Sequence, residues 1–362
     1  MGLYTAILLA QSGIEVEVLE RRSVRSSHSR AIGIHPPALA ALEQAGVAEA
    51  LIAAGVQIPG GIARSRGRTV AELSFACLPG PHRYVLAIPQ EQTERILSER
   101  LTELAPNALR RGETVEAVHD VGTGVVTVTD HRTYRSALLI GADGARSTVR
   151  SAAGIRAKVR PYPDAYVMGD FPDTTGDGST AALYLESDGI VESFPLPGGV
   201  RRWVVRMPSL VENPTAGTVA GLVAERTGVA VDTRNNTMLS SFAVRRRIAD
   251  RFIEGRIALV GDAAHEVSPI GGQGMNLGWL DAAQLVPLVV DSLAGTDVGL
   301  GLRRFNEERR RAALAASRQA HINMMLGRPL PSALLTARNR IMGRVAGLPT
   351  VHDAVARTFT MH

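Results

Sequence analysis

The sequence predicts a mixed α/β fold. A doubly wound, parallel-sheet domain is interleaved with a second domain built on an antiparallel sheet, and helices close the carboxyl terminus. Three observations predict this. Near the start, an amphipathic helix runs through a glycine into a short alternating strand. At 256–281 a strand, a Gly-rich turn and a helix follow one another. Between these, residues 159–248 read as strand after strand with Pro and Gly turns, the pattern of an antiparallel sheet.

Taken in order, residues 2–12 form a helix capped by Gly13, and 14–19 form a strand ending at Glu20. This is the second half of a βαβ unit, where an acidic residue after the second strand is placed to bind a ribose hydroxyl. The fingerprint G-x-G-x-x-G has a strand and two glycines before its third glycine, and Gly2 matches only that last one. The sequence therefore predicts an open place in the sheet for the first strand, and weak cofactor binding by the chain as written. A Ser/Arg-rich loop at 25–37 leads to a helix at 37–45. Strands are expected at 60–73 and 83–88, separated by a turn at 77–82, and Pro89-Gln90 opens a helix at 91–104. A strand meander follows at 115–140 and ends in LLIGADGARSTVR, with Asp143 at a strand end and Gly144 permitting a sharp turn.

In the second domain, strands are expected at 165–171, 181–186, 191–196, 202–207 and 239–244, with a helix at 219–227. Tyr184, Phe194, Trp203 and Arg206 are candidates to line a substrate site on one face of that sheet. The strand at 257–260 then runs into Gly261-Asp262, and Pro269, Gly271, Gly272 and Gly274 make a tight turn into a helix starting near Met275. A helix start offers unpaired N–H groups and a positive dipole end, and glycines let a ligand approach that backbone closely. Helices are expected at 300–325, 330–345 and 351–359. The domain boundaries read as 1–158, with a strand insertion at about 60–90, then 159–248, a return to the first domain at 249–295, and carboxyl-terminal helices at 296–362.

Three strings, in this order, resemble those of the group A flavoprotein monooxygenases, the FAD-dependent aromatic hydroxylases related to p-hydroxybenzoate hydroxylase and the ubiquinone-pathway hydroxylases: the Gly2–Glu20 half-unit, 138–150, and 256–281. The resemblance spans about residues 2–295 and implies a Rossmann-like FAD-binding domain. It implies that Gly2, Glu20, Arg30, Gln90, Asp143, Asp262, Gly274, Met275 and Asn276 bind non-covalent FAD, with Arg30 at the pyrophosphate, Asp262 on the ribityl chain and the helix-start amides facing the flavin ring. Pro269 is the catalytic candidate, as the residue beside the flavin near the reacting ring. His265 fits support of the cofactor segment better than a role as base. The implied reaction hydroxylates a phenolic or quinone-precursor substrate with O2 and NAD(P)H, the nicotinamide binding transiently because no second dinucleotide unit is visible. Two other readings remain open, a flavin-dependent reductase of isoprenoid double bonds and a non-catalytic flavin binder. A flavin-dependent halogenase is disfavoured, because Trp203 and Trp279 form no paired motif and Lys158, the only lysine, stands in none.

Composition agrees. With 362 residues the chain can bury a substantial core, and 45% hydrophobic and 21% charged residues are ordinary for a globular protein. The net charge of +5 comes from dispersed Arg without interleaved aromatics, which argues against nucleic acid. Cys77 stands alone, so an intrachain disulfide and a cysteine metal cluster are excluded, which fits a reducing cytoplasm. No metal is expected, and no apolar run is long enough to span a bilayer.

Overall fold

The computed structural model describes residues 1–24 and 31–362. It is a mixed α/β structure, as expected. The helix Gly2–Gln11, rich in Ala and Leu, is a good helix former and buries Tyr4, Ile7, Leu8 and Leu9. Gly13, at φ +75°, turns the chain out of it, a conformation that favours glycine. The strand Val18–Glu20 that follows pairs in parallel with Leu109–Arg111. A second small sheet places Leu139–Gly141 parallel to Ile257–Leu259. No strand among the described residues joins these two sheets. Gly2 lies between them, and a Cβ there would stand 3.6 Å from the Ala142 Cβ and 3.9 Å from Val18 Cγ1.

The larger sheet has eight strands in the order His265–Glu266, Met238–Ala249, Ala157–Pro172, Val200–Met207, Val191–Leu196, Ala181–Tyr184, Gly60–Ser65 and Arg68–Ser74. Every pairing is antiparallel except Ala181–Tyr184 with Gly60–Ser65, which is parallel. The hairpin at 60–74, expected as an insertion in the first domain, is hydrogen-bonded into this sheet. Local pattern cannot reveal that, because the pairing joins residues more than a hundred positions apart.

Alternation gives the sheet two distinct faces. One packs Val167, Phe171, Tyr184, Trp203 and Val205 against Val219 and Val223 of the helix Ala216–Thr227. The other carries Tyr166, Met168, Val204 and Val244 and meets Ile270 and Met324. The helix Gln273–Leu293 contains Pro287 without a break. A mid-helix proline is unfavourable, but Leu285, Val286 and Val289 are buried around it and hold the segment. Helices Gly299–Leu326, Ser332–Ala346 and Pro349–Phe359 complete the chain. Among the described residues no helix is long and apolar enough to cross a membrane.

Candidate active site

A cavity of about 2000 Å³ lies between the Gly-rich turns and the eight-stranded sheet. That exceeds the ~300–1,000 Å³ usual for one small ligand. Residues 16–20 and 138–145 of the two small parallel sheets and their turns line it, and so do residues of the carboxyl-terminal helices.

The turn after Ile257–Leu259 shows how one wall is held. Gly261, at φ +60°, donates its N–H to Asp281 Oδ2 at 3.1 Å. The same carboxylate holds His265 Nε2 at 2.5 Å, and its other oxygen accepts from Arg309 Nε at 2.7 Å. All three side chains are buried. Gly278 lets the helix Gln273–Leu293 press against the turn, since a Cβ there would sit 3.0 Å from the Gly261 Cα. Burial opposes ionisation of Asp281, yet His265 and the cation of Arg309 together hold its carboxyl below the ordinary value. His265 is thus an internal brace, its ring 5.6 Å from that of Phe252.

This frame presents Asp262 to the cavity. Its side chain has no hydrogen-bond or ion-pair partner among the described residues. Enclosure by the cavity walls pushes its carboxyl pKa up, partly offset by positive charge at His265 and the chain's amino terminus. Ten residues on, Gly272 N–H donates to Pro269 O at 2.9 Å and closes the tight turn. The helix begins at Gln273, two residues before the position expected, with Gly272 at φ +68° and no side-chain cap. Its first-turn amides open on the cavity beside Gly271, Gly274 and Met275, which line it with Pro269. His35 backs this turn: a Cβ on Gly272 would lie 3.0 Å from its Nε2. The His35 ring stacks on Phe359 at 5.6 Å, and burial drives its pKa down to about 4.

Gly2 opens another uncapped helix at the cavity. Glu20 lines it at a strand end, accepting from Arg22 N–H at 2.9 Å. Gln90 lines it from the first turn of the helix Gln90–Leu104, donating to Glu94 Oε1 at 2.9 Å. Asp143 also lines it, but its carboxylate accepts from Val149 N–H at 3.0 Å and so shapes the turn. Arg150 links this second motif to the first by donating to Ala263 O at 2.8 Å. Asn276, whose backbone amide is among those expected at the flavin, uses its side chain inside the protein. It is fully buried, does not line the cavity, and spends its side chain on His35 N–H, Gly33 O and Gly272 O. Arg30 lies outside the described residues.

The sheet forms the opposite wall. Phe194 lines it as expected, but Tyr184 and Trp203 point to the far face, where their rings lie 5.8 Å apart. Arg206 is tied to Asp164 at 3.1 Å and does not line the cavity. Sequence reasoning missed Met168, Glu192, Arg202, Val204 and Phe242, which do. The signal available was alternation: once Phe194 is placed inward, Glu192 must be too. Arg202 is held by Asp170 at 2.6 and 2.7 Å.

Helix starts without side-chain caps at Gly2, Gln90 and Gln273, a partnerless carboxylate and a close-packed glycine turn fit an elongated anionic dinucleotide. A family model described as an FAD binding domain matches residues 1–320. This chain belongs to the FAD-dependent aromatic hydroxylases. It is 30% identical to the rifampicin monooxygenase of Streptomyces venezuelae, over 99% of this chain and 76% of that one. It is 31% identical to the 12-dehydrotetracycline 5-monooxygenase/anhydrotetracycline 6-monooxygenase of Streptomyces rimosus, over 91% of this chain and 68% of that one. The crystal structure of p-nitrophenol 4-monooxygenase from Pseudomonas putida superposes with a TM-score of 0.89 at 25% identity, covering 99% of this chain and 95% of that one. Some other relatives are spanned over less of their length, down to 64%. These likenesses bear out the family and FAD, and do not favour the reductase of isoprenoid double bonds.

Proposed function

We propose that the chain hydroxylates an extended, polycyclic phenol, with FAD, O2 and NAD(P)H. The carrying observation is the contrast across one cavity: backbone amides and Asp262 on one side, an apolar sheet face with few polar groups on the other. Ile341, Val345 and Val355, exposed apolar residues of the carboxyl-terminal helices, also line the cavity. They suit a large apolar ring system, the kind of molecule named for the rifampicin and tetracycline relatives.

Bound FAD supplies the activation of O2 and accepts hydride from the nicotinamide. In this reading Asp262 accepts hydrogen bonds from the ribityl hydroxyls, and Glu20 does so from a ribose. The amides at Gly274 and Met275 stabilise negative charge on the ring system, and the helix start at Gly2 faces the diphosphate. Arg30 and Gln90 complete the cofactor contacts, with Asn276 acting through the turn it braces. Pro269 lies at the boundary between cofactor and substrate. The apolar wall excludes water from the reacting ring. The domain boundaries of the sequence reading and a cytoplasmic location, in keeping with the lone Cys77, belong to the same proposal.

Reconstitution with FAD and anaerobic rapid mixing with NAD(P)H tests this. Polycyclic phenols are expected to accelerate flavin reduction, and labelled O2 to deliver one atom to the product ring. Reduction that no phenol alters, with no label in any product, refutes it.

A further inference from the structure

Glu192 is the feature that the cofactor chemistry leaves unexplained. It is the second residue of the strand Val191–Leu196, paired in register with Leu183 on one side and Val204 on the other, with Met168 next to Val204. Its neighbours two positions away on the same strand face are Ile190 and Phe194. The side chain is 7% exposed and lines the cavity. It makes no hydrogen bond or ion pair with any described residue. The cation on the same face, Arg202, is already held by both oxygens of Asp170.

A carboxyl buried among aliphatic side chains is costly unless something satisfies it. The Arg201–Asp173 pair, on the opposite face of the same sheet, shows how this fold treats a buried charge with a structural role: Arg201 is surrounded by Asp173, Ser193 and two carbonyl groups. Glu192 has no such shell. It opens instead on the space where a ring lying on the sheet would fit.

We propose that Glu192 is the substrate-anchoring base of this site, accepting the hydrogen bond of a phenolic hydroxyl and then its proton. The proposal rests on the hydroxylase reading above. In the step, the phenol O–H bond breaks and the proton moves to a Glu192 carboxylate oxygen. The electron pair stays on the phenolic oxygen and delocalises into the ring, enriching the ortho and para carbons. A substrate lacking a free hydroxyl cannot make this contact.

Burial holds the Glu192 carboxyl up at about 7, suited to exchanging a proton near neutral pH. The ionisable groups around it are Tyr166, Arg202 with Asp170, and Arg206 with Asp164, to which Arg328 also reaches; Asp262 and His35 stand on the opposite wall. The Tyr166 hydroxyl is buried without a partner, and burial raises its pKa above the ordinary range. It therefore stays protonated and is not a competing base.

The test compares binding of 2-naphthol and 2-methoxynaphthalene to the full chain, read by probe fluorescence. At pH 8 the parent protein is expected to prefer the naphthol by roughly tenfold, the scale of one charge-assisted hydrogen bond. That preference should fade as pH falls below about 7. Glu192→Leu should abolish it, and Glu192→Gln should retain a smaller preference that no longer depends on pH. Equal binding of the two probes by the parent, binding of neither, or a preference that survives in a folded Glu192→Leu protein overturns the proposal. These readouts need no turnover. A naphthol preference without any oxygen transfer would sink the hydroxylase reading and leave the anchoring contact standing.

Discussion

The two walls of the cavity are built from different parts of the chain's chemistry. The wall to which we assign the cofactor, called the cofactor wall below, is largely backbone: helix-start amides at Gly2 and Gln273, glycines at positive φ, and Asp262 as its outstanding carboxylate. The wall to which we assign the substrate, called the substrate wall below, is made of side chains projecting from a rigid sheet, Met168, Glu192, Phe194, Val204 and Phe242 among them. A backbone site needs particular residues at particular places, because only glycine tolerates those conformations and close approaches. A strand-face site needs only alternation, and any apolar residue of suitable size will serve. The first kind of wall therefore leaves a string in the sequence and the second does not.

The difference should show first in what happens when the support is removed. The cofactor wall depends on Asp281, which holds Gly261 N–H, His265 and Arg309 together in the interior. Asp281→Ala leaves Arg309 buried without its carboxylate, and breaking a buried pair this way costs about 3–5 kcal/mol. Urea unfolding should show that loss, with FAD affinity falling as Asp262 loses its frame. Unchanged stability would mean the network is not what holds the turn.

The walls also carry opposite pH dependences. His35, on the cofactor side, ordinarily titrates at 6.5 but is held down to about 4 by burial. The unfolded chain then binds a proton that the folded one refuses, so stability falls as pH drops from 6.5 towards 4. Glu192, on the substrate side, ordinarily titrates at 4.5 but is held up to about 7. Here the folded chain keeps a proton that the unfolded one has lost, so stability is present at low pH and falls as pH rises from 4.5 through 7. At about 1.4 kcal/mol per pH unit, each contribution is worth roughly 3 kcal/mol. His35→Gln should flatten the acid limb, and Glu192→Gln should raise stability at pH 8 by that order. Melting temperature against pH for both variants is the measurement; parallel curves for parent and variants would remove the contrast.

Within the cofactor wall, the two signature aspartates should separate. Asp262 faces the cavity without a partner, whereas Asp143 is engaged by Val149 N–H. Losing a charged acceptor costs about 1.5–3 kcal/mol, or roughly tenfold or more in affinity. Asp262→Ala should therefore weaken FAD binding more than Asp143→Ala does, by equilibrium titration. Equal affinities in Asp262→Ala and the parent would end that assignment.

Legibility followed the same division. The helix Gly2–Gln11, the turn at Gly261 and the start at Gln273 lie within a residue or two of their expected places, because capping and turn chemistry are local. The strands at 181–196 were legible too, but their place in the sheet was not. The hairpin at 60–74 joins Ala181–Tyr184 in parallel across more than a hundred residues, and no local signal encodes such a partner. Asn276 illustrates a second limit: the string pointed to its backbone amide, and gave no sign that its side chain binds His35 and Gly33. A string records that a residue is needed and not which neighbour needs it. Glu192 illustrates a third, since a lone carboxyl in a strand reads as an outward-facing residue until the inward face is known.

That last point gives the smallest and most selective test, because Tyr184 and Phe194 look equally suited to a substrate wall in the sequence but occupy opposite faces. The Tyr184 hydroxyl accepts from Arg64 at 3.2 Å, and the ring packs on Trp203 beneath the helix Ala216–Thr227. Tyr184→Phe removes that hydrogen bond and keeps the ring, a change worth about 0.5–1.5 kcal/mol of stability. It should leave KM for a phenolic substrate unaltered, because the sheet itself stands between residue 184 and the cavity. Phe194→Leu keeps the inward position apolar but loses the flat ring, and should raise KM with little effect on stability. Steady-state kinetics on the two variants, alongside urea unfolding, separates the faces. A KM change in Tyr184→Phe as large as that in Phe194→Leu would mean the substrate site is not confined to the face that carries Glu192.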